Sequence, residues 1–454
     1  MYKVMRIILF IFLSIGSFFL NSCAKEWLEE KQNVKLIVPK TLNDIDLLLN
    51  ISTFEQDGRG STEMSSDEAD YTVEQFNALP LSFQRNLVTW SVTVYEELPS
   101  IQNEWNVAYN QIQICNVALT ALNKIERDDK NKVIYDRLKG TALYHRSRQF
   151  LNLAMTFCKY YQANSANNEL GIPLKLTDDI EEPIYRATLE QTYQKIVEDL
   201  RTSANILPAQ KISQTHIAKG GAYALLARTY LFMDNFQEAK NASDSSYHYH
   251  HYIEDYNNLN FSATRPLNIQ SQEMHLPLSP RMSVNYATIA RINQDLYNSY
   301  NENDLRKVLF FKKESDGRYS FKGHYRSAMF SGTSTPEVLL IWAESMARLG
   351  DENGALNKLN ILMSMRFKMG QFVPYKVGTP SETLDIILNE RRKELLTRCL
   401  RWHDLKRLNR DPRYAKTITR KIGDQIYHLP PEDPRYVLPI PQFVINYNGI
   451  TPNP

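Results

Sequence analysis

From residue 101 onward, apolar side chains recur at three- and four-residue steps, and this period restricts the fold more than any other feature of the chain. Ile101, Trp105, Ala108, Ile112, Cys115 and Leu119 fall on one face, the repeat of an amphipathic α-helix. Leu138, Ala142, Leu143, Phe150, Leu153, Ala154 and Phe157 predict a second helix. Leu170-Gly171-Ile172-Pro173 then breaks the pattern, as glycine and proline do. Thr188 reads as the cap of a helix through Leu207, with Glu190 and Gln191 in its first turn and Pro208 past its end. The expected fold class is therefore mainly α.

Two later stretches repeat one pattern. Ala222, Leu225, Leu226, Tyr230 and Leu231 lead through Met233-Asp234-Asn235 to Phe236 and Ala239. Leu339, Leu340, Ala343, Met346 and Ala347 lead through Leu349-Gly350-Asp351 to Ala355, Leu356 and Leu359. The steps from Ala227 to Ala239 and from Ala343 to Ala355 are both 12 residues. Small residues at a close antiparallel crossing, with an Asp-bearing turn between the helices, resemble tetratricopeptide units. The expected scaffold occupies mainly 101–240 and 334–410.

The remaining segments, 40–100, 244–333 and 411–454, lack that period. A short helix is expected at Leu42–Leu49, capped by Thr41 or Asn43. The stretch from Asp57 to Tyr71 reads as a long ordered loop. Tyrosines crowd 244–333, at 247, 249, 252, 256, 286, 297, 300, 319 and 325. Leu384 to Leu408 reads as one long charged helix, and Leu438 to the end as extended, proline-locked chain.

The amino terminus carries a different message. Lys3 and Arg6 precede Ile7 to Leu20, an almost wholly apolar run of 14 residues, and Leu20-Asn21-Ser22-Cys23 comes next. This reads as an export signal over 1–22, too short for a spanning helix. Cys23 stands where a lipobox places the acylated cysteine. The mature chain, 23–454, is expected to fold as a single domain held to a membrane by lipid.

The sequence has 53 basic and 51 acidic residues, and removal of Lys3 and Arg6 leaves the two equal. A neutral chain has no electrostatic footprint for nucleic acid. Cys115, Cys158 and Cys399 remain after Cys23, at spacings that mark neither a disulfide framework nor a zinc site. Gly-x-Ser-x-Gly, Gly-x-x-x-x-Gly-Lys, His-Glu-x-x-His and Cys-x-x-Cys are all missing from the sequence. His248-Tyr249-His250-His251 would offer two imidazoles to a metal if extended, and Asp178-Asp179 with Glu181-Glu182 could hold Ca²⁺. Packed imidazoles and a solvated acidic turn are the simpler readings, so no metal and no cofactor are expected. Arg391/Glu394 and Arg401/Asp404 are spaced i,i+3 and read as local structural ion pairs, not as catalytic groups.

The order of segments resembles the SusD/RagB family of outer-membrane nutrient-binding lipoproteins. The match is carried by the lipobox at Cys23, Lys139-Gly140-Thr141-Ala142-Leu143-Tyr144-His145-Arg146 and Pro336-Glu337-Val338-Leu339-Leu340-Ile341-Trp342-Ala343-Glu344. Asn389-Glu390-Arg391-Arg392-Lys393-Glu394-Leu395, Arg401-Trp402-His403-Asp404-Leu405-Lys406-Arg407 and Leu438-Pro439-Ile440-Pro441 complete it. Ser147, where the family has Ala, and the Asn453-Pro454 ending depart from the pattern. The resemblance implies a tetratricopeptide-like helical scaffold supporting an irregular, loop-rich ligand-binding half. It further implies a SusC-like TonB-dependent transporter as partner, capped by this lipoprotein as a lid on the outer face of the outer membrane. Lys25-Glu26 is similar to the charged segments that send such lipoproteins outward.

Sugars are held by aromatic faces and a few directed polar groups. Loop aromatics beside acids are therefore the expected ligand residues: Asp67, Asp70, Tyr71, Trp90, Tyr286, Tyr297 and Tyr300. Trp105, Trp342 and Trp402 lie on helical faces and read as core. The expected function is non-catalytic capture of an oligosaccharide and delivery to the transporter. The alternatives are the same role with an oligopeptide, or a cell-surface glycoside hydrolase using carboxylates such as Asp67 and Asp70.

Overall fold

The computed structural model describes residues 39–95, 103–268, 270–280, 289–325 and 329–453. Cys23, the export signal and Tyr286 lie outside the described residues. By contacts the chain divides into Met1–Lys40 and Thr41–Pro454, and the described helices and strands belong to the second unit.

Described helices of eight or more residues are α1 (Leu42–Leu49), α2 (Glu104–Leu122), α3 (Lys132–Phe157), α4 (Leu189–Ile206) and α5 (Lys219–Phe232). They continue as α6 (Phe236–Tyr249), α7 (Thr335–Arg348), α8 (Glu352–Ser364), α9 (Pro380–Glu394) and α10 (Arg401–Leu408). From α2 to α8 each helix packs on its predecessor in the series, α7 upon α6 although residues 250–334 lie between them in sequence. The mainly α fold is therefore a run of helix pairs, with α1 laid over α2 and α3.

Local chemistry fixes the helix ends. Thr41, Thr188 and Thr379 each close a capping box, with Asp44, Gln191 and Glu382 returning the hydrogen bond. The α5–α6 and α7–α8 turns share one construction. A left-handed residue, Asp234 (φ 55°) or Gly350 (φ 83°), precedes an amide or carboxylate cap. Asn235 accepts from the Glu238 N–H, and Asp351 accepts from the Gly354 N–H. Ala227, Ala239, Ala343 and Ala355 are all fully buried at these crossings, where larger side chains would hold the helices apart.

The non-helical chain forms small two-stranded pairings. In chain order the strands are β1 (Gln56–Asp57), β2 (Ala69–Asp70), β3 (Leu170–Pro173), β4 (Arg186–Thr188) and β5 (Ser279–Pro280). The rest are β6 (Arg291–Ile292), β7 (Phe311–Lys313), β8 (Tyr319–Phe321), β9 (Ile418–Ile422) and β10 (Gln425–Leu429). β1 runs parallel to β5, and β2 pairs antiparallel with β6, so each joins the first loop segment to the second. β3–β4, β7–β8 and β9–β10 are antiparallel pairs. The tyrosine-rich segment makes a core of its own, with Tyr256, Tyr300, Tyr325, Phe310, Phe311 and Phe321 buried around Leu309 and Leu396.

Four expectations need correction. The charged stretch 384–408 is two helices, not one. Thr397 (φ 59°) and Cys399 (φ 57°) turn left-handed between α9 and α10, and their N–H groups donate to the buried carboxyl groups of Glu68 and Glu63 at 2.9 Å each. The 57–71 stretch contains a short helix, Gly60–Ser65, and Gln442–Asn448 is helical after the extended prolines. The α9–α10 charges are structural, but the expected partners differ: Arg391 pairs with Asp404 and not Glu394, and Arg401 with Asp67 and not Asp404. Arg391 and Arg407 both pair with Asp404, and Arg407 also binds Glu344 on α7. Glu394 receives Arg306 and Arg366, and Arg366 also binds Glu273 at 2.7 Å. Arg306 contacts Asp304, Glu390 and Glu394 with its side chain wholly buried. Burial alone would keep Glu344 protonated, but Arg407 and Arg348 outweigh it and hold its carboxyl at about 2. These charges bolt the second loop segment to the helical scaffold.

Candidate functional site

The β2–β6 pairing joins the strand that carries Asp70 to the segment that leads into Tyr297. Asp70 lies opposite Arg291 in the register. Just past the end of β6, Asn293 donates its backbone N–H to the Glu68 carbonyl at 2.9 Å. Its side-chain amide reaches the Asp70 carboxylate at 3.3 Å, and its carbonyl oxygen caps the short helix Gln294–Asn298. Tyr297 projects from that helix. Its ring stacks on Tyr319 of β8, with centroids 3.7 Å apart and planes 14° apart. Phe311 supports it edge-on at 5.2 Å, and the Lys307 ammonium stands 5.2 Å from the ring centroid.

Tyr319 owes its position to a hairpin. Asp316-Gly317 turns the chain between β7 and β8, with Gly317 left-handed at φ 80°. The adjoining Arg318 reaches Asp70 at 3.6 Å, and Arg291 binds Asp316 at 2.9 Å. Tyr297 and Tyr319 are thus a half-buried pair of stacked rings, and the chain on either side of them carries a polar cluster in which Asp70 meets Asn293 and Arg318 while Arg291 binds Asp316. Burial lifts the Asp70 carboxyl above its ordinary range against the pull of Arg420 and Arg318. Burial and the neighbouring Tyr319 push Tyr297 up to about 12. The carboxyl and the phenol can hydrogen-bond hydroxyls, and the rings offer stacking area.

The other expected residues lie elsewhere. Asp67 sits at the centre of three cations, Arg401 at 2.7 Å, Arg392 at 3.2 Å, and Lys416. Burial opposes its ionisation, but these charges prevail and hold its carboxyl well below the usual carboxylate range. Tyr71 and Trp90 are packed in the interior on either side of the buried Arg420 guanidinium, 5.6 and 4.8 Å from it. Trp90 is left-handed (φ 53°) and donates its indole N–H to the Ser65 carbonyl at 2.8 Å. Tyr300 is buried, its hydroxyl donating to the Lys393 carbonyl at 2.8 Å. Trp105, Trp342 and Trp402 are core, as are all three described cysteines.

Sequence reasoning missed Tyr319, Arg318 and Arg291 as partners of Asp70 and Tyr297. The Asp316-Gly317 pair between two short alternating runs was the available signal for the hairpin. It also missed Arg420, whose guanidinium donates to the carbonyls of Met64, Ser66, Val88 and Ala69. His248 belongs to α6, not to an extended strand, and His250 lies against the ring of His275. Glu182 is engaged by Lys175 at 3.0 Å and by Thr177. Among the described residues no three His, Cys, Asp or Glu side chains gather as a metal site, and no helix is long and apolar enough to cross a membrane.

Comparison with known proteins bears on the family and the fold. A family model described as "Starch-binding associating with outer membrane" matches residues 26–231, and the SusD family model matches 335–453. A SusD superfamily protein of Bacteroides thetaiotaomicron VPI-5482 superposes with a TM-score of 0.72 at 22% identity, covering 91% of this chain and 100% of its own. A SusD-like carbohydrate binding protein of Bacteroides vulgatus ATCC 8482 gives 0.69 at 17% identity, covering 90% and 97%. A second protein of that organism, of the SusD superfamily, gives 0.69 at 21% identity, covering 92% and 99%. No curated protein sequence matches. With both family models and the whole helical scaffold in agreement, the chain belongs to the SusD/RagB family.

Proposed function

We propose that this protein is a non-catalytic nutrient-binding lipoprotein of the outer membrane. It is anchored through Cys23 and faces the cell exterior, where it captures a glycan and passes it to a SusC-like TonB-dependent transporter. The observation that carries the reading is the stacked Tyr297–Tyr319 pair beside Asp70 and Arg318. An aromatic face with directed carboxylate, guanidinium and amide groups is the arrangement that holds a pyranose ring. It rests on the loop-rich half, where a ligand can be met without disturbing the helical scaffold.

A hydrolytic role is disfavoured by the state of Asp67. A carboxylate engaged by three cations and held far below its usual range has no proton to donate to a leaving group. Tyr286 stays in the proposed ligand set with Asp70 and Tyr297, whereas the packing of Tyr71, Trp90 and Tyr300 favours a supporting role for them.

The test is affinity electrophoresis of the purified protein against a panel of soluble polysaccharides, paired with affinity purification from membranes. Retardation by at least one polysaccharide together with recovery of a large β-barrel partner is expected. Retardation by none, with no barrel recovered, overturns the reading.

A further inference from the structure

A second concave region lies away from the Tyr297–Tyr319 pair, between the end of α3, the β3–β4 hairpin, α10 and the chain's last residues. It is a cleft of about 550 Å³, within the ~300–1,000 Å³ range of small-molecule sites. Its walls combine aromatic and apolar side chains, Tyr160, Leu170, Tyr436 and Val437, with the amides of Gln162 and Asn168. Two cations line it without a carboxylate partner among the described residues.

The first cation is Lys406. Its side chain is buried, and its ammonium donates to the carbonyls of Met155 and Cys158 at 2.8 and 2.7 Å. These carbonyls lie at the carboxyl end of α3, where a cation is favoured. An ammonium has three donors, two of which these carbonyls take, and Lys406 lines the cleft. The second is Arg186, which donates to neutral oxygens of Gly171 at 2.7 Å, Thr451 at 3.1 Å, Asn453 at 2.9 Å and Leu170 at 3.3 Å and also meets the Cys158 thiol. The other lining charges are accounted for. Lys159 pairs with Glu169, Arg410 with Asp234, and Asp433 with Arg435. Glu432 remains on the rim, exposed and left-handed at φ 58°.

We propose that this cleft is a second ligand subsite, which takes a saccharide unit bearing a carboxylate, a uronate, with its charge against Lys406 and Arg186. The inference rests on the glycan-binding reading and narrows the ligand to an acidic glycan. Aromatic walls and amides suit the polyhydroxylated ring, and the cleft is too roomy for a bare inorganic anion. Burial lowers Lys406 to about 8, so it is still mainly charged at neutral pH, and an arriving carboxylate would hold its proton more firmly.

The probes are trigalacturonate and its methyl ester, titrated calorimetrically into the purified full-length protein in detergent. The acid is expected to bind about tenfold or more tightly than the ester, as a charge-assisted contact requires. Lys406→Gln should weaken the acid about tenfold and leave the ester unchanged, and Glu432→Gln, on the exposed rim, should tighten the acid several-fold. Equal affinity for acid and ester overturns the proposal, as does preference for triglutamate over trigalacturonate. If Lys406→Gln does not fold, Glu432→Gln decides alone, and unchanged affinity there overturns it. Failure of the wider glycan reading is told apart by the polysaccharide panel, which includes neutral polymers.

Discussion

The helical and loop-rich halves of this molecule solve the same problem by different means. In α2–α8 the backbone satisfies itself, and side chains are left to pack, as Ala227 against α6 and Ala355 against α7 show. In the loop-rich half the buried carbonyls have no ladder, so long polar side chains reach them. Arg420 takes carbonyls from Met64, Ser66, Val88 and Ala69. Gln111 on α2 takes those of Thr53 and Gln56. An irregular segment held this way keeps a fixed shape, and that lets it present Asp70 and Tyr319 together.

Removing a charge from the network is the harshest way to break this comparison. Arg306→Leu would strand Asp304 in the interior and take one cation each from Glu390 and Glu394, and about 3–5 kcal/mol of stability should be lost. Urea unfolding measures it, and a loss below about 1 kcal/mol would show that the network is not what fixes the loops. In the helical half, Ala343→Leu should cost about 1–3 kcal/mol by forcing α7 and α8 apart. Circular dichroism melts would show that loss with helix content retained.

A pH scan sharpens the contrast. Burial lifts Glu63 to about 6 and Glu68 well above the ordinary value, where the two carboxyl groups share one pocket behind Thr397 and Cys399. A raised folded-state value means that the native protein holds the proton more tightly. The stability this provides is complete below about 4.5, Glu63's ordinary value, and is lost as pH rises through about 6, with Glu68 extending the loss upward. Asp67 and Glu344 are shifted the other way and give up stability only below their ordinary values. Melting temperature should therefore fall between pH 5 and pH 8, and Glu63→Gln should flatten that fall. The smallest effect on stability is expected at the site itself. Tyr319→Ala removes a half-buried stacking partner worth about 1 kcal/mol.

The helical half was legible in the sequence because period, caps and turns are local. The 12-residue spacing found the α5–α6 and α7–α8 crossings, and Thr188 marked its helix. The break between α9 and α10 was not legible, since Thr397 and Cys399 adopt left-handed backbone without a glycine, held by Glu68 and Glu63 from over 300 positions away. Loop aromatics were the weakest reading. Without a period nothing in the sequence says which side faces inward, so Tyr71, Trp90 and Tyr300 looked the same as Tyr297. The partners that decide the matter, Arg420 for the first two and the Lys393 carbonyl for Tyr300, come from distant segments.

The central claim is that the Tyr297–Tyr319 pair with Asp70 is the face that meets the glycan. Its most direct test is calorimetric titration of the polysaccharide that retards the protein most, into wild type and Tyr319→Ala. The account predicts at least a tenfold loss of affinity with the melting temperature nearly unchanged. Equal affinity in the two proteins would contradict it.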